Sequence, residues 1–350
     1  MARRVLITGL AAQLAGRLAA RLEADERVEY VAGLDLREPG HDLSRTEFVR
    51  ADLRNPMVAR VVDSAAIDTI VHLQVSAMPV AAGGRAAMKD LNVIGTMQLL
   101  AAAQKSPRVR TVVVKSSTAV YGSNPEDPSL LDEDAAPGRS VRSGYGKDLV
   151  DIERTARALS RRRPDVTTTV LRFAHIVGPT VDSPMCRYLA LPVIPTVLGF
   201  DPRLQLCHED DALEVLYRSC VEDHPGTYNV AGPGVVYLSQ VARRAGKPTL
   251  PVPLLCVDVL AEVVRRSGRL DFPPDQLRLL YYGRVGAIDR LREVFGYEPA
   301  YSTVEALDDF IASRRIAPLV DRARVVRWEQ ELYEFVTRKG QERFLAERER

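Results

Sequence analysis

The sequence predicts an α/β protein: a doubly wound parallel sheet with a smaller, interleaved C-terminal lobe. Three observations lead there. Short apolar runs alternate with helical patterns through the first half of the chain. The first run ends in a glycine turn that opens a helix. The second half changes character, being Pro-rich at 179–202 and 248–253 with shorter elements. Strand, helix, strand in repetition implies a parallel sheet covered on both faces.

The elements follow in order. "RVLITG" (4–9) predicts a strand. "QLAGRLAARLEAD" (13–25) places Leu14, Leu18 and Leu22 four apart, the period of an amphipathic helix. "VEYVAGLD" (28–35), "FVRADL" (48–53), "TIVHLQ" (69–74), "RTVVVKSS" (110–117) and "TTTVLRFA" (167–174) predict further strands. Helices are expected near 57–65, 86–104 and 145–162. The dinucleotide-binding domain is expected over 1–178, with 205–232 returning to it. The substrate lobe takes 179–204 and 233–316, and a helical tail 317–350. In that tail Val325, Trp328, Leu332 and Phe335 share one helical face, suited to packing on the protein itself or on a partner.

Bulk properties narrow the function. Lys+Arg is 48 and Asp+Glu is 46 in 350 residues, a net charge of +2. So even a balance argues against nucleic acid or an anionic membrane surface as partner. The start "MARRVLITGL" is basic and then apolar, but its run is too short for a signal peptide. No stretch reaches the roughly 20 apolar residues of a membrane span. Cys186, Cys207, Cys220 and Cys256 show neither metal-ligand spacing nor a disulfide framework, so a reducing, cytoplasmic setting is expected. "HEDD" (208–211) could hold a cation. The better reading has Asp210 or Asp211 capping the helix that follows, and no metal is expected.

Parallel sheets of this type bind ligands at the carboxyl ends of their strands. The first such end is "TGLAAQLAG" (8–16), where Gly9 allows a sharp turn. The helix behind it offers free N–H groups to a pyrophosphate. Asp35 ends the second strand, where a carboxylate can accept hydrogen bonds from a ribose diol.

Taken in order, "VLITG", "GLD", "FVRADLRN", "IVHL", "LNVIGT", "SSTAVYG", "YGK", "LRFAHIVGP", "HEDDALEV", "GTYNVAG" and "REVFGYEP" resemble the extended short-chain dehydrogenase/reductase family. The similarity spans about residues 4–312 and is nearest to the NAD-dependent nucleotide-sugar epimerase/dehydratase branch, UDP-glucose 4-epimerase-like proteins among them. It implies a Rossmann-type fold and roles for matching positions. The family's three-glycine first turn becomes Gly9, Ala12 and Ala15. Asp52 and Leu53 match adenine contacts, Leu73 the end of the strand beside the cofactor, and Asn92 an asparagine in the helix next to the site. Asp35 favours NAD, because a 2′-phosphate would meet its charge; Arg37 nearby leaves NADP open. His175 stands where relatives face the sugar nucleotide, and Arg292 where UDP-sugar enzymes contact the diphosphate. The family carries its His-x-Asp-Asp pattern without metal.

The resemblance also implies a hydride transfer in which Ser117 holds the substrate hydroxyl and Tyr145 moves its proton. A free tyrosine has a pKa near 10, so roughly one in a thousand is ionised at pH 7. The family lowers that value with a lysine four residues on, along the same helix face. Leu149 stands there instead. Lys147 points elsewhere, since two residues along a helix turn about 200°. Lys115 alternates with Ser117 on one face of its strand, so it is the expected replacement ammonium. The alternative is a lysine that snorkels to solvent.

The leading expectation is an atypical epimerase, dehydratase or reductase acting on a nucleotide sugar or related hydroxyl compound. A second is a dinucleotide or metabolite sensor that kept the pocket and lost turnover. A third is an enzyme using the pocket for non-redox chemistry. A homodimer is expected, pairing Met97, Leu100 and Ala101 with Leu149, Ile152 and Ala156 across the helices near 86–104 and 145–162.

Overall fold

The computed structural model describes residues 3–135, 141, 143–257, 261 and 274–314. The tail stripe from Val325 to Phe335 lies outside them. Strands β1 (Arg3–Thr8), β2 (Val28–Asp35), β3 (Glu47–Arg50), β4 (Thr69–His72), β5 (Thr111–Ser117) and β6 (Thr167–Phe173) form one sheet with the strand Gly226–Val230. The spatial order is Gly226–Val230, β6, β5, β4, β1, β2, β3, and every pairing is parallel. The order reverses between β1 and β4, which places the ligand crevice over their carboxyl ends. These strands hold because their apolar runs are buried on both faces: Val5, Leu6 and Ile7 are all at 0 % exposure.

Helix α1 (Gln13–Glu23) and the helix Glu209–Val221 cover one face, where Leu18, Leu22, Val113 and Leu216 share a core. Helices α2 (Val58–Ser64), α3 (Arg85–Lys89), α4 (Thr96–Lys105) and α5 (Gly144–Arg162) serve the other. A π-helical segment, Asp90–Gly95, joins α3 to α4, so the expected helix over 86–104 is one rod with a widened turn. Leu100, Leu149, Ile152 and Ala156, expected at a dimer face, are buried under the chain's own sheet instead. The sheet needs that apolar stripe to cover it. Met97, with Ile94 beside it, does face outward.

One buried polar network ties α5 to the sheet. Arg172 of β6 donates Nε to Glu153 Oε1 at 2.9 Å and Nη2 to Oε2 at 2.7 Å. Its Nη1 donates to the Tyr121 hydroxyl at 2.7 Å and the Glu133 carbonyl at 3.0 Å. Ser116 donates to the same Glu153 carboxylate at 2.7 Å. Burial alone would lower the Arg172 guanidinium, but Glu153 holds it above its ordinary value.

The second lobe has its own core, including Met185, Tyr188, Leu238 and Phe310. Its strands are short: Ile194–Val197 pairs with Thr249–Val252, and Arg203–Leu204 with Val236–Tyr237. Among the described residues no helix is long and apolar enough to cross a membrane.

Candidate active site

Gly9 has φ +78°, and a Cβ there would stand 3.0 Å from the backbone of Gln74, so glycine is required on both counts. Ala12 is different. Its φ of −77° and ψ of 139° suit any residue, so replacing the family glycine brings no backbone strain. Ala12 caps α1 without a side-chain hydrogen bond, which leaves the first N–H groups of the helix free. Ala15 is buried between α1 and the sheet. Asp35 accepts from Ala11 N at 3.1 Å and Arg37 N at 3.0 Å, which sets its carboxylate beside the turn. The backbone N–H groups of Leu73 and Gln74 both donate to Thr8 Oγ1, at 3.2 and 3.3 Å. That locks the end of β4 against β1. Gln74 Oε1 is buried there without a partner.

The remaining expected cofactor residues build the walls. Asp52 pairs with Arg54 at 2.6 Å, and Leu53 is fully buried, close to where a Cβ on Gly95 would stand. Asn92 does not reach into the crevice. Its Oδ1 accepts from Ser76 N at 2.8 Å, and its Nδ2 donates to Ser76 O at 2.9 Å and to Asp148 at 3.2 Å. It therefore holds the chain after β4 against α5. The imidazole of His41 lies where a side chain at Gly16 would be, 1.9 Å from that Cβ position. The free helix end, the glycine turn, the strand-end carboxylate and the unpartnered Gln74 oxygen together fit a dinucleotide.

Ser117 ends β5, and its Oγ accepts from Ala119 N at 3.2 Å, starting the short turn Thr118–Tyr121. Helix α5 opens on Gly144, whose φ is +76°. A Cβ on Gly146 would stand 2.9 Å from the Ala119 carbonyl. The first turn of α5, which carries Tyr145, therefore lies directly on the turn after Ser117. Asp275 fixes the same spot from the second lobe, accepting from Gly146 N at 3.1 Å. Tyr145 is 6 % exposed. Burial pushes its phenol above the ordinary value, Asp148 and Asp275 push further, and Arg284 alone pulls the other way. Leu149 is fully buried in the apolar cluster under the sheet.

Lys115, the expected substitute ammonium, is not among the charges that act on Tyr145. Val112 and Val114 pack on the α5 side of β5, and Ser116 reaches Glu153 of α5. Strand alternation puts Lys115 and Ser117 on the face of Val113, which packs toward α1. Lys115 is half-buried, which lowers its ammonium, and its charge acts on His72. His72 itself is held down to about 3, first by burial and then by Lys115. Lys147 pairs with Asp151 at 2.8 Å, away from the site. Asp148 forms a bidentate pair with Arg85, at 2.8 and 2.7 Å.

His175 begins a short strand, His175–Val177, and its Nε2 is buried without a partner. Burial and then Arg284 push its imidazole down to about 3, so the ring is neutral. Arg292 is not drawn into this cluster; it pairs with Glu298 at 2.7 Å on an exposed edge. The arginine that does stand here is Arg284, which sequence reasoning missed. Its only signal was a lone charge in "YYGRVGA", between apolar and small residues. In "HEDD" the cap is His208, which accepts from Asp210 N at 3.2 Å, rather than either aspartate. Asp211 instead accepts from Tyr297 and from the N–H groups of Ala300 and Tyr301. Among the described residues no group of three or more His, Cys, Asp and Glu could hold a metal ion.

Residues 5–231 match the model of the NAD dependent epimerase/dehydratase family. The chain belongs to this family. Within it, the chain is 44% identical over 329 residues to an uncharacterized protein of Mycobacterium tuberculosis, covering 93% of this chain and 88% of that one. It is 24% identical over 329 residues to UDP-glucuronic acid decarboxylase 6 of Arabidopsis thaliana, covering 87% and 86%. Among solved structures, MoeE5 in complex with UDP-glucuronic acid and NAD superposes with a TM-score of 0.70 at 20% identity, covering 89% of this chain and 99% of that one. UDP-glucuronic acid 4-epimerase from Bacillus cereus gives 0.69 at 16%, with the same coverage. These likenesses are of fold.

Proposed function

We propose that this chain binds NAD and acts on a nucleotide sugar, oxidising or reducing a ring hydroxyl as an epimerase, dehydratase or reductase. The contact between Gly146 and the Ala119 carbonyl supports the reading, because it packs the first turn of α5, which carries Tyr145, on the turn that follows Ser117. NAD and UDP-sugars bound to fold neighbours such as MoeE5 support it. When bound, NAD supplies the hydride acceptor. Ser117 orients the substrate oxygen and Tyr145 exchanges its proton. With its phenol held up, Tyr145 is mostly protonated at neutral pH, so only its small ionised fraction can take the hydroxyl proton as the hydride leaves. The free N–H groups of α1 hold the pyrophosphate and Asp35 a ribose diol, which favours NAD over NADP. The exposed Ile94 and Met97 support a homodimer across the outer faces of α4 and α5; light scattering at micromolar concentration should give twice the chain mass.

Leu149 and the raised Tyr145 favour a second reading, a sensor that binds both ligands without turnover. Native mass spectrometry followed by product analysis with UDP-sugars separates the two. Retained NAD with a changed sugar, abolished in Tyr145→Phe, supports the enzyme. Retained NAD with every sugar returned unchanged supports the sensor. A protein that ignores added NAD defeats both.

A further inference from the structure

Buried polar atoms in folded proteins nearly always have partners. Where the second lobe meets α5, three do not: Arg284 Nε, Ser123 Oγ and His175 Nε2. They belong to one cluster. Arg284 donates Nη1 to the carbonyl of Gly122, the residue before Ser123, at 3.2 Å. Its Nη2 donates to Gln276 Oε1 at 3.1 Å. Its charge acts on both His175 and Tyr145.

Arg284 is 8 % exposed and Ser123 is 5 % exposed. A charge taken out of water is normally paired. Arg284 has only the two neutral oxygens as hydrogen-bond partners, and no ion pair within 4 Å among the described residues. Asp275 and Asp127 act on it from farther off. Their carboxylates are already engaged, Asp275 by Gly146 N and the Gln276 amide, Asp127 by Asn124. Burial accordingly pulls the guanidinium down to about 10, still charged at neutral pH.

The three unpartnered atoms share a chemistry. Arg284 Nε–H can only donate, the Ser123 hydroxyl can donate, and a neutral His175 donates from Nε2 in one tautomer. Donors around an uncompensated positive charge suit an oxyanion. Two oxyanions occur on nucleotide sugars: the diphosphate, and in uronic acids a ring carboxylate. From Arg284 a hydrogen-bond chain runs through Gln276 and Asp275 to Gly146 N, next to Tyr145, the group proposed to meet the ring hydroxyl, so the sugar ring rather than the diphosphate is at hand.

We propose that Arg284, with Ser123 and His175, holds a carboxylate on the sugar ring, so that the substrate is a nucleotide-linked uronic acid rather than a neutral hexose. This deepens the function proposed above and rests on its placing of the sugar at Tyr145.

The test is calorimetric titration of the NAD-loaded full chain with UDP-glucuronic acid, UDP-glucose and free glucuronic acid. Wild type should bind UDP-glucuronic acid at least about tenfold more tightly than UDP-glucose. Arg284→Gln should erase that preference, weakening UDP-glucuronic acid at least about tenfold more than UDP-glucose. Ser123→Ala, a milder change, should reduce the preference in the same direction. Equal weakening of both nucleotide sugars in Arg284→Gln would assign the arginine to the diphosphate and overturn the proposal. So would a wild type without preference. If neither nucleotide sugar binds but free glucuronic acid binds in an Arg284-dependent way, the carboxylate site stands and the nucleotide-sugar reading falls. If no ligand with a carboxylate responds to Arg284, the proposal falls.

Discussion

Arg172 and Arg284 are both buried arginines close to α5, and they are treated in opposite ways. Arg172 has a bidentate carboxylate, a phenol and a carbonyl around it, and its charge is held in place. Arg284 has two neutral acceptors and an idle Nε, and burial lowers its pKa to about 10. The difference separates frame from site. A buried group whose hydrogen bonds close on the protein fixes geometry. A buried group left open costs stability and keeps a donor free for a ligand.

The comparison breaks first on stability. Glu153→Gln leaves Arg172 buried beside a neutral amide and should cost about 3–5 kcal/mol. Arg284→Gln removes a charge that has no carboxylate, and should change stability by less than about 1 kcal/mol or raise it. Urea unfolding of both variants checks this, and equal losses would erase the distinction between the two arginines.

Catalysis sharpens it next. With Tyr145 held above its ordinary value near 10, the oxidative direction needs an ionised phenol that is scarce at neutral pH. Activity should therefore rise about tenfold per pH unit from 7 toward 10, without a neutral plateau. The carboxylate of Asp148 belongs to the frame yet acts on Tyr145. Asp148→Asn should move that rising limb to lower pH, since removing a negative neighbour eases deprotonation. A plateau below pH 9 in wild type would show that another group is the base.

The smallest effect belongs to the cofactor turn. Ala12 already has a backbone open to any residue, so Ala12→Gly changes only the room beside the pyrophosphate. NAD should bind more tightly, by about 1 kcal/mol. Unchanged or weaker binding would remove the crowding argument.

The frame was far more legible in the sequence than the site. Strand β2 spans Val28–Asp35 as its apolar run indicates, and α5 begins within one residue of expectation, because local periodicity dictates both. The widened turn at Asp90–Gly95 leaves no such pattern. Alternation shows that Lys115 and Ser117 share a face, but which face meets α5 depends on the contact between Ser116 and Glu153, 37 residues apart. Arg284 depends on contacts more distant still. The carbonyl it binds, at Gly122, lies 162 residues away, and nothing local to "GRVG" announces it. Asn92 looked like a cofactor ligand because the family motif names it, whereas its amide is occupied by Ser76 and Asp148.

The imidazole of His41 fills the space a side chain at Gly16 would take. Those two positions are therefore not independent letters of the sequence. Gly16→Ala alone drives a methyl into a ring, and His41→Gly alone leaves a hole over α1. Made together, the two changes should be tolerated better than the sum of the single ones. Among related chains the pair should change in step, glycine at one position accompanying a ring at the other. The loop after β2, among the most freely varying parts of such folds, would thus carry one letter that the first helix dictates.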